Sequence, residues 1–321
     1  MVQNKQTTSH MSIWWIAIGA AMWGLDGVFI VTLLKHVTSS QIVWLEHMLL
    51  LFFAAPVLVW KRHELKGLGL NLGDWFAILF IAWGGSALAS ILFTAGFTHG
   101  NPNVVLILQK VQPVFAVLLA ARLLKERIVT AFWYLLMVVL IGAYLLTFGF
   151  HIPATGGTQL IGSLYALGAA ALWGGSTVMG KRLAGKLSFT TIAALRFSIA
   201  LPLLTIIILV QHPNWGTLGQ ALTLAPVWAN LLFQTLVPSL VSLLMYYRGL
   251  DGVKASHATI AELAFPATGL LLNWLILHQT IDLGQWFGFA IIWLAVLHLS
   301  PLRNEPAMPE IPAAHPTDVA C

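Results

Sequence analysis

Gly100–Arg127 reads GNPNVVLILQKVQPVFAVLLAARLLKER. The apolar run is long enough to cross a bilayer as a helix. Yet Lys110 lies inside it, and Pro113 near its middle interrupts helical hydrogen bonding. A basic cluster, Arg122, Lys125 and Arg127, closes it. A second copy, Val253–Thr280, begins 153 residues later and reads VKASHATIAELAFPATGLLLNWLILHQT. Pro266 falls opposite Pro113 and Glu262 opposite Gln109, while His278-Gln279 stands where the first copy has Lys125-Glu126. One interrupted membrane helix written twice predicts a chain built from repeats.

Composition agrees with a life in lipid. Of the 321 residues, 59% are hydrophobic and 8% charged, with a mean hydropathy of +0.85. Soluble domains carry about 25% charged residues. The net charge of +5 does not imply nucleic acid, because the basic residues sit in short loops rather than along one stripe. The one cysteine, Cys321, ends the sequence, so no disulfide framework or thiol metal site is expected, and the eleven histidines lack ligand spacing. No cofactor is expected either. Residues 1–11 form a polar segment without a small-residue cleavage site after the first apolar run, so a retained first helix is expected.

Ten runs are long enough to span: 12–31, 41–60, 74–98, 102–122, 129–149, 160–180, 189–210, 226–248, 255–277 and 283–300. The longest link, Gln211–Ala225, contains Pro213, Trp215 and Gly216 and is expected on the surface. The Pro- and Ala-rich segment 301–321 is expected to be a disordered tail. With the N-terminus inside, thirteen of the sixteen Lys and Arg residues fall in inner segments and only Lys35 in an outer loop; Lys110 and Arg196 lie within helices. That asymmetry places both termini in the cytoplasm.

The ten helices divide into two fives, 12–149 and 160–300. Ala20-Ala21-Met22-Trp23-Gly24 opens the first and Ala170-Ala171-Leu172-Trp173-Gly174 the second, and the same offset of 150 pairs Glu46 with Arg196. Five is odd, so the second repeat enters the membrane from the other side. The loop after helix 4 is accordingly basic, and the matching loop after helix 9 carries no Lys or Arg. The predicted fold class is an all-α integral membrane protein of ten transmembrane helices in two inverted five-helix repeats.

The segment QPVFAVLLAARLLKERI resembles the E-P-V-F-A-x-L-L-A-x-L-L-L-G-E-R pattern of EamA-type members of the drug/metabolite transporter superfamily. The doubled Trp-Gly and Leu195-Arg196-Phe197 are similar to family positions too, and the resemblance covers about 12–300. It implies a ten-helix inverted-repeat carrier that exports small metabolites. Two positions depart from the pattern: Gln112 replaces the acid that often precedes the helix 4 proline, and Lys110 is not expected there.

Charged residues at the bilayer centre cost roughly 2.5–3.5 kcal/mol each. Asp26, Glu46, Lys110, Arg196 and Glu262 all sit inside predicted spans, so they must face the interior, pair or snorkel. Glu46 and Arg196 lie near their helix starts and read as structural anchors or pairs. Lys110 and Glu262 occupy near-equivalent points of the two broken helices, where Pro113 and Pro266 cannot donate to the carbonyls of Gln109 and Glu262. Each break should leave an acceptor beside a polar side chain, suited to a proton, a cation or a polar solute group. The plainer reading is a static Lys110–Glu262 salt bridge. Asp26, one turn past Trp23, shares its face. Trp23, Trp83 and Trp173 each precede a glycine mid-helix and serve either helix packing or an aromatic wall for solute, joined by Tyr246 and Tyr247. His47 and His257 are secondary candidates for proton movement.

Enzymatic signatures are absent from the sequence: no nucleotide-binding glycine loop, no His-Glu-x-x-His, no nucleophile elbow. The resulting expectation is a secondary carrier for a small solute, an amino acid or similar, exported by alternating access with Glu262 as first choice and Asp26 as second for a coupling proton. Lys110 would hold an anionic group or serve as counter-ion to Glu262. A membrane-embedded lipid-modifying enzyme and a facilitative channel are the rival classes. Beyond the solute, protons and lipid are the expected partners.

Overall fold

Without water, a chain crossing a bilayer satisfies its backbone polar groups as helix or closed barrel, and no strand occurs among the described residues. The computed structural model describes residues 2–25, 33–67, 69–99, 105, 108–126, 128–152, 160–277 and 280–299. Asp26 and the segment 301–321 lie outside the described residues. The chain opens with α1 (Val2–Trp23), α2 (Ser39–Trp60) and a short α3 (Arg62–Gly67). α4 (Leu72–Leu79) runs through a π-helical segment, Phe80–Leu88, into α5 (Ala89–His99). Next come α6 (Gln112–Leu123), α7 (Thr130–Phe148), α8 (Leu160–Ala184), α9 (Phe189–Val210) and the short α10 (Trp215–Ala221). α11 (Ala225–Gln234) continues through a second π-helical segment, Thr235–Val241, into α12 (Ser242–Asp251). α13 (Ala255–Ala261), α14 (Ala264–Leu277) and α15 (Leu283–Leu299) follow.

Ser39–Trp60, Leu72–Gly96, Thr130–Phe148, Phe189–Val210 and Ala225–Asp251 are each long and apolar enough to cross a bilayer; Met11–Trp23, Gln112–Leu123 and Leu283–Ala295 are shorter apolar helices. α1 starts at Val2, ahead of its predicted apolar run. Helix starts follow local chemistry. Thr38 and Gln41 form a reciprocal capping box on α2, Asn71 and Asp74 another on α4, and the Ser188 hydroxyl caps α9. Such caps are worth about 1 kcal/mol each. The segment expected to lie on the surface contains α10, whose Leu218 and Ala221 bury against Leu33, Val37 and Ile42.

The most extensive packing joins the two halves of the chain. α1 packs on α12, as α8 packs on α5; α1 packs on α14, as α8 packs on α6. α2 pairs with α9, and α7 with α15. Exchanging the first five predicted spans for the last five maps this pattern onto itself. The Trp-Gly pairs serve the crossings. A Cβ on Gly24 would come 2.8 Å from the Gly269 nitrogen of α14, and one on Gly174 would come 2.9 Å from the Ala116 nitrogen of α6. Each glycine thus lets the broken helix of the other half approach, and its tryptophan is carried to the crossing.

Replacing either glycine with valine should overpack that crossing and cost about 1–3 kcal/mol. Thermal unfolding of the purified protein checks this, and an unchanged Tm in both variants would refute the close-crossing role.

Candidate functional site

Both predicted breaks exist, one turn ahead of the prolines. The chain turns at Lys110-Val111 before α6, and Pro113 sits in the first turn of that helix. It turns again at Glu262-Leu263, between α13 and α14, with Pro266 in the first turn of α14. Proline suits a helix start, where its missing N–H bonds nothing anyway. One expectation fails here. The Glu262 carbonyl is not a free acceptor, because the Phe265 N–H donates to it at 3.1 Å.

The Glu262 side chain, 8% exposed, is the hub of the interior. Its Oε2 accepts from Gln112 Nε2 at 2.5 Å. Its Oε1 accepts from Tyr246 OH at 2.8 Å and from Thr177 Oγ1 at 3.1 Å. The donors stand on α6, α12 and α8. Gln112 also accepts from Gln109 Nε2 at 3.2 Å, and Gln109 accepts from Lys110 Nζ at 3.2 Å. Lys110, 4% exposed, lies 3.8 Å above the Phe265 ring. The static Lys110–Glu262 salt bridge is therefore not formed. Two glutamine amides stand between the charges and relay one hydrogen-bonded row from ammonium to carboxylate.

This row borders a cavity of about 40 Å³ lined by Trp23, Gln109, Lys110, Gln112, Thr259, Glu262 and Phe265, among others. It is room for a few waters and not for a solute. Trp23 leans on Tyr246, ring centres 5.4 Å apart. A larger cleft of about 470 Å³ opens between the ends of α8, α9 and α12, with Ser188, Tyr247, Arg248 and Asp251 in its lining. Tyr246 bonds the Glu262 that lines the smaller space, and Tyr247 lines the larger.

The remaining predicted residues part company. Trp173 donates its indole N–H to the Gly85 carbonyl at 3.0 Å, and Trp83 donates to the Ile199 carbonyl at 2.9 Å, so both tie helices together away from the cavity. Arg196 binds Ser86, Ser176 and Tyr247. It is not ion-paired with Glu46 among the described residues. His47 donates its Nδ1–H to the Val43 carbonyl at 2.8 Å and packs on Phe197; His257 packs on Phe132. Sequence reasoning missed Gln112, Thr177, Thr259 and Phe265 as site residues. Thr177 was findable: it lies four residues past Trp173, on the same helix face. No group of three or more His, Cys, Asp or Glu able to hold a metal occurs among the described residues.

A helical, multi-pass membrane protein with a buried polar site at two broken helices is the form of a solute transporter. The comparisons agree. The EamA-like transporter family matches residues 10–148 and again 160–300, and the chain belongs to that family. It is 30% identical over 296 residues to the riboflavin transporter ImpX of Fusobacterium nucleatum subsp. nucleatum (strain ATCC 23726 / VPI 4351), covering 90% of this chain and 97% of that one. It is 26% identical over 301 residues to the uncharacterized transporter YwfM of Bacillus subtilis (strain 168), covering 94% and 96%. A solved crystal structure is similar at a TM-score of 0.70 and 15% identity, over 89% of this chain and 95% of that one, which speaks for the fold alone.

One end of the molecule is closed by charge. Asp74, its side chain fully buried, meets Arg182 Nε at 3.0 Å and Lys186 Nζ at 2.5 Å. Beside it Glu64 accepts from Lys61 at 2.9 Å, from the Ser188 N–H at 3.1 Å and from Thr191 Oγ1 at 2.8 Å. These bonds clamp the α2–α4 connection onto the α8–α9 connection. Burial raises the Glu64 pKa, but the bonds from Lys61, Ser188 and Thr191 outweigh it and hold the carboxyl at about 2, below the ordinary 4.5. A depressed folded pKa gives stability that is complete above about pH 4.5 and is lost as pH falls toward 2. Glu64→Gln should therefore lower Tm at pH 7 and lower it less at pH 3. A deficit equal at both values would show that the carboxylate is not what clamps this end.

Proposed function

We propose that this protein is a secondary carrier of the cytoplasmic membrane that moves a flavin of the riboflavin type by alternating access. The observation that carries the reading is the 30% identity to a riboflavin transporter across nine-tenths of the chain. The cavity chemistry suits such a solute. Riboflavin is uncharged at neutral pH, with a flat ring to stack, an imide edge and a hydroxylated chain. Trp23 and Phe265 offer ring faces, and Gln109, Gln112, Thr259 and Glu262 offer donors and acceptors.

The proposed architecture is ten spans in two inverted repeats, 12–149 and 160–300, with the charge-clamped end and both termini in the cytoplasm. The exchangeable packing pairs and the doubled family match support it. The state described is closed at this site, since a cavity of about 40 Å³ has room for a few waters and not for a solute. The two turns and the two π-helical segments are the points where the helices can flex. Glu262 is the proposed coupling proton site, with Asp26 second. A second reading, a zwitterionic amino acid bridging Lys110 and Glu262, draws on the placement of both charges in one cavity.

Flux into proteoliposomes containing only this protein separates these readings. Saturable riboflavin uptake with counterflow is expected, stimulated by a pH gradient. Glu262→Gln should weaken half-saturation roughly 10- to 100-fold, the value of one hydrogen bond to a charged group, and should abolish the pH stimulation. Amino-acid flux without riboflavin flux would move the assignment to the zwitterion. Non-saturating flux would mean a channel, and turnover of a lipid without flux an enzyme.

A further inference from the structure

We infer that Arg196 is a positioning residue for the Glu262 carboxylate, acting through two dipeptides that touch both groups. Arg196 projects from α9 into the junction of three other segments. Its Nε donates to Ser86 Oγ at 2.6 Å in the first π-helical segment. One terminal nitrogen donates to Ser176 Oγ at 3.3 Å on α8 and to Tyr247 OH at 3.1 Å on α12. The very next residue on α8, Thr177, and the preceding residue on α12, Tyr246, are the two donors to Glu262 Oε1. Tyr246 OH and Thr177 Oγ1 also lie 2.9 Å apart. A closed circuit results: the guanidinium fixes Ser176 and Tyr247, and the peptide bonds to their neighbours fix the two hydroxyls that hold the carboxylate.

The geometry needs a fork rather than a point charge. Arg presents rigid, planar donors that reach several acceptors at once, which an ammonium does not. All three partners are neutral hydroxyls, so the guanidinium is not neutralised by a carboxylate in contact among the described residues. It instead bonds Ser176 and Tyr247, the chain neighbours of the two hydroxyl donors that hold Glu262. Groups facing Glu262 from the packed elements are Gln112 on α6, Thr177 on α8 and Tyr246 on α12, with Lys110 reached through Gln109.

The inference rests on the reading of Glu262 as the solute site, and the test keeps the two apart. Riboflavin binding would be titrated for wild type, Arg196→Met, Arg196→Lys, Glu262→Gln and the paired variants. Arg196→Met should weaken binding about tenfold when Glu262 is present and less than twofold in the Glu262→Gln background, the non-additivity of groups acting as one unit. Arg196→Lys should recover part of the loss. Multiplying effects in the paired variant would overturn the inference. A solute-free readout runs beside it: the carboxyl band of Glu262 in infrared spectra differenced against Glu262→Gln. That band should shift in Arg196→Met and in Tyr247→Phe, a milder variant that keeps the aromatic ring. A band unmoved by both overturns the inference whatever the solute. A shifted band without riboflavin binding retires the flavin assignment and leaves the role of Arg196 standing.

Discussion

A carboxylate removed from water is the constraint around which the interior is arranged. Glu262 sits at a helix break and is met by donors from three helices, Gln112 on α6, Thr177 on α8 and Tyr246 on α12. Hydrogen bonds to a charged group contribute about 1.5–3 kcal/mol each, and leaving such a group unsatisfied costs more. The halves of the chain both supply partners, so satisfying this one side chain draws them together. Under the proposed mechanism the same fact couples solute to motion. A proton or a solute atom that takes the place of one donor loosens the helix that carried it.

The scaffold around the carboxylate is close to symmetric, and the chemistry is not. Trp23 meets Tyr246 with ring centres 5.4 Å apart, and the equivalent Trp173 meets Phe93 at 5.2 Å. Gly24 and Gly174 make the same crossing in opposite halves. Where the second half has a tyrosine hydroxyl the first has phenylalanine, and where the second has Glu262 the first has Gln109. Trp173 spends its indole N–H on the Gly85 carbonyl in the first π-helical segment, whereas Trp23 lines the cavity. The packing frame is shared by the two halves, and a few differing side chains leave the polar cavity on one side of it.

The helical, multi-pass character, the two breaks and the crossings at Gly24 and Gly174 were legible in the sequence, because apolar run length, proline and glycine act locally; Gly84, after Trp83, makes no such close approach. The partners were not. Gln112 stood out as a departure from the family pattern, yet nothing in one sequence ties its amide to a carboxylate 150 positions away. The alternative reading, a direct Lys110–Glu262 salt bridge, failed for a related reason. Equivalent positions in two repeats need not touch, and here Gln109 and Gln112 fill the space between them. The π-helical segments carry no local code either: Trp173 bonds Gly85 and Arg196 bonds Ser86, so tertiary hydrogen bonds meet the widened turns. Asp26, the second proton candidate, lies outside the described residues.

The two ends of the molecule are held by different forces. At the basic end, Asp74 with Arg182 and Lys186, and Glu64 with Lys61, Ser188 and Thr191, close the halves through directional, charge-assisted bonds. At the opposite end, Leu33, Val37, Ile42, Leu218, Ala221, Val227 and Leu231 form an apolar cluster between the first half and the α9–α11 region. Water competes for an ionic contact and replaces much of its value once the cleft is wet. An apolar contact has no such substitute, and its cost rises with each square ångström exposed. Separating the ionic end is therefore cushioned by hydration, whereas separating the apolar end exposes surface with no such return. Under the alternating-access mechanism proposed above, this difference would let water enter at the charged end while the apolar end stays closed.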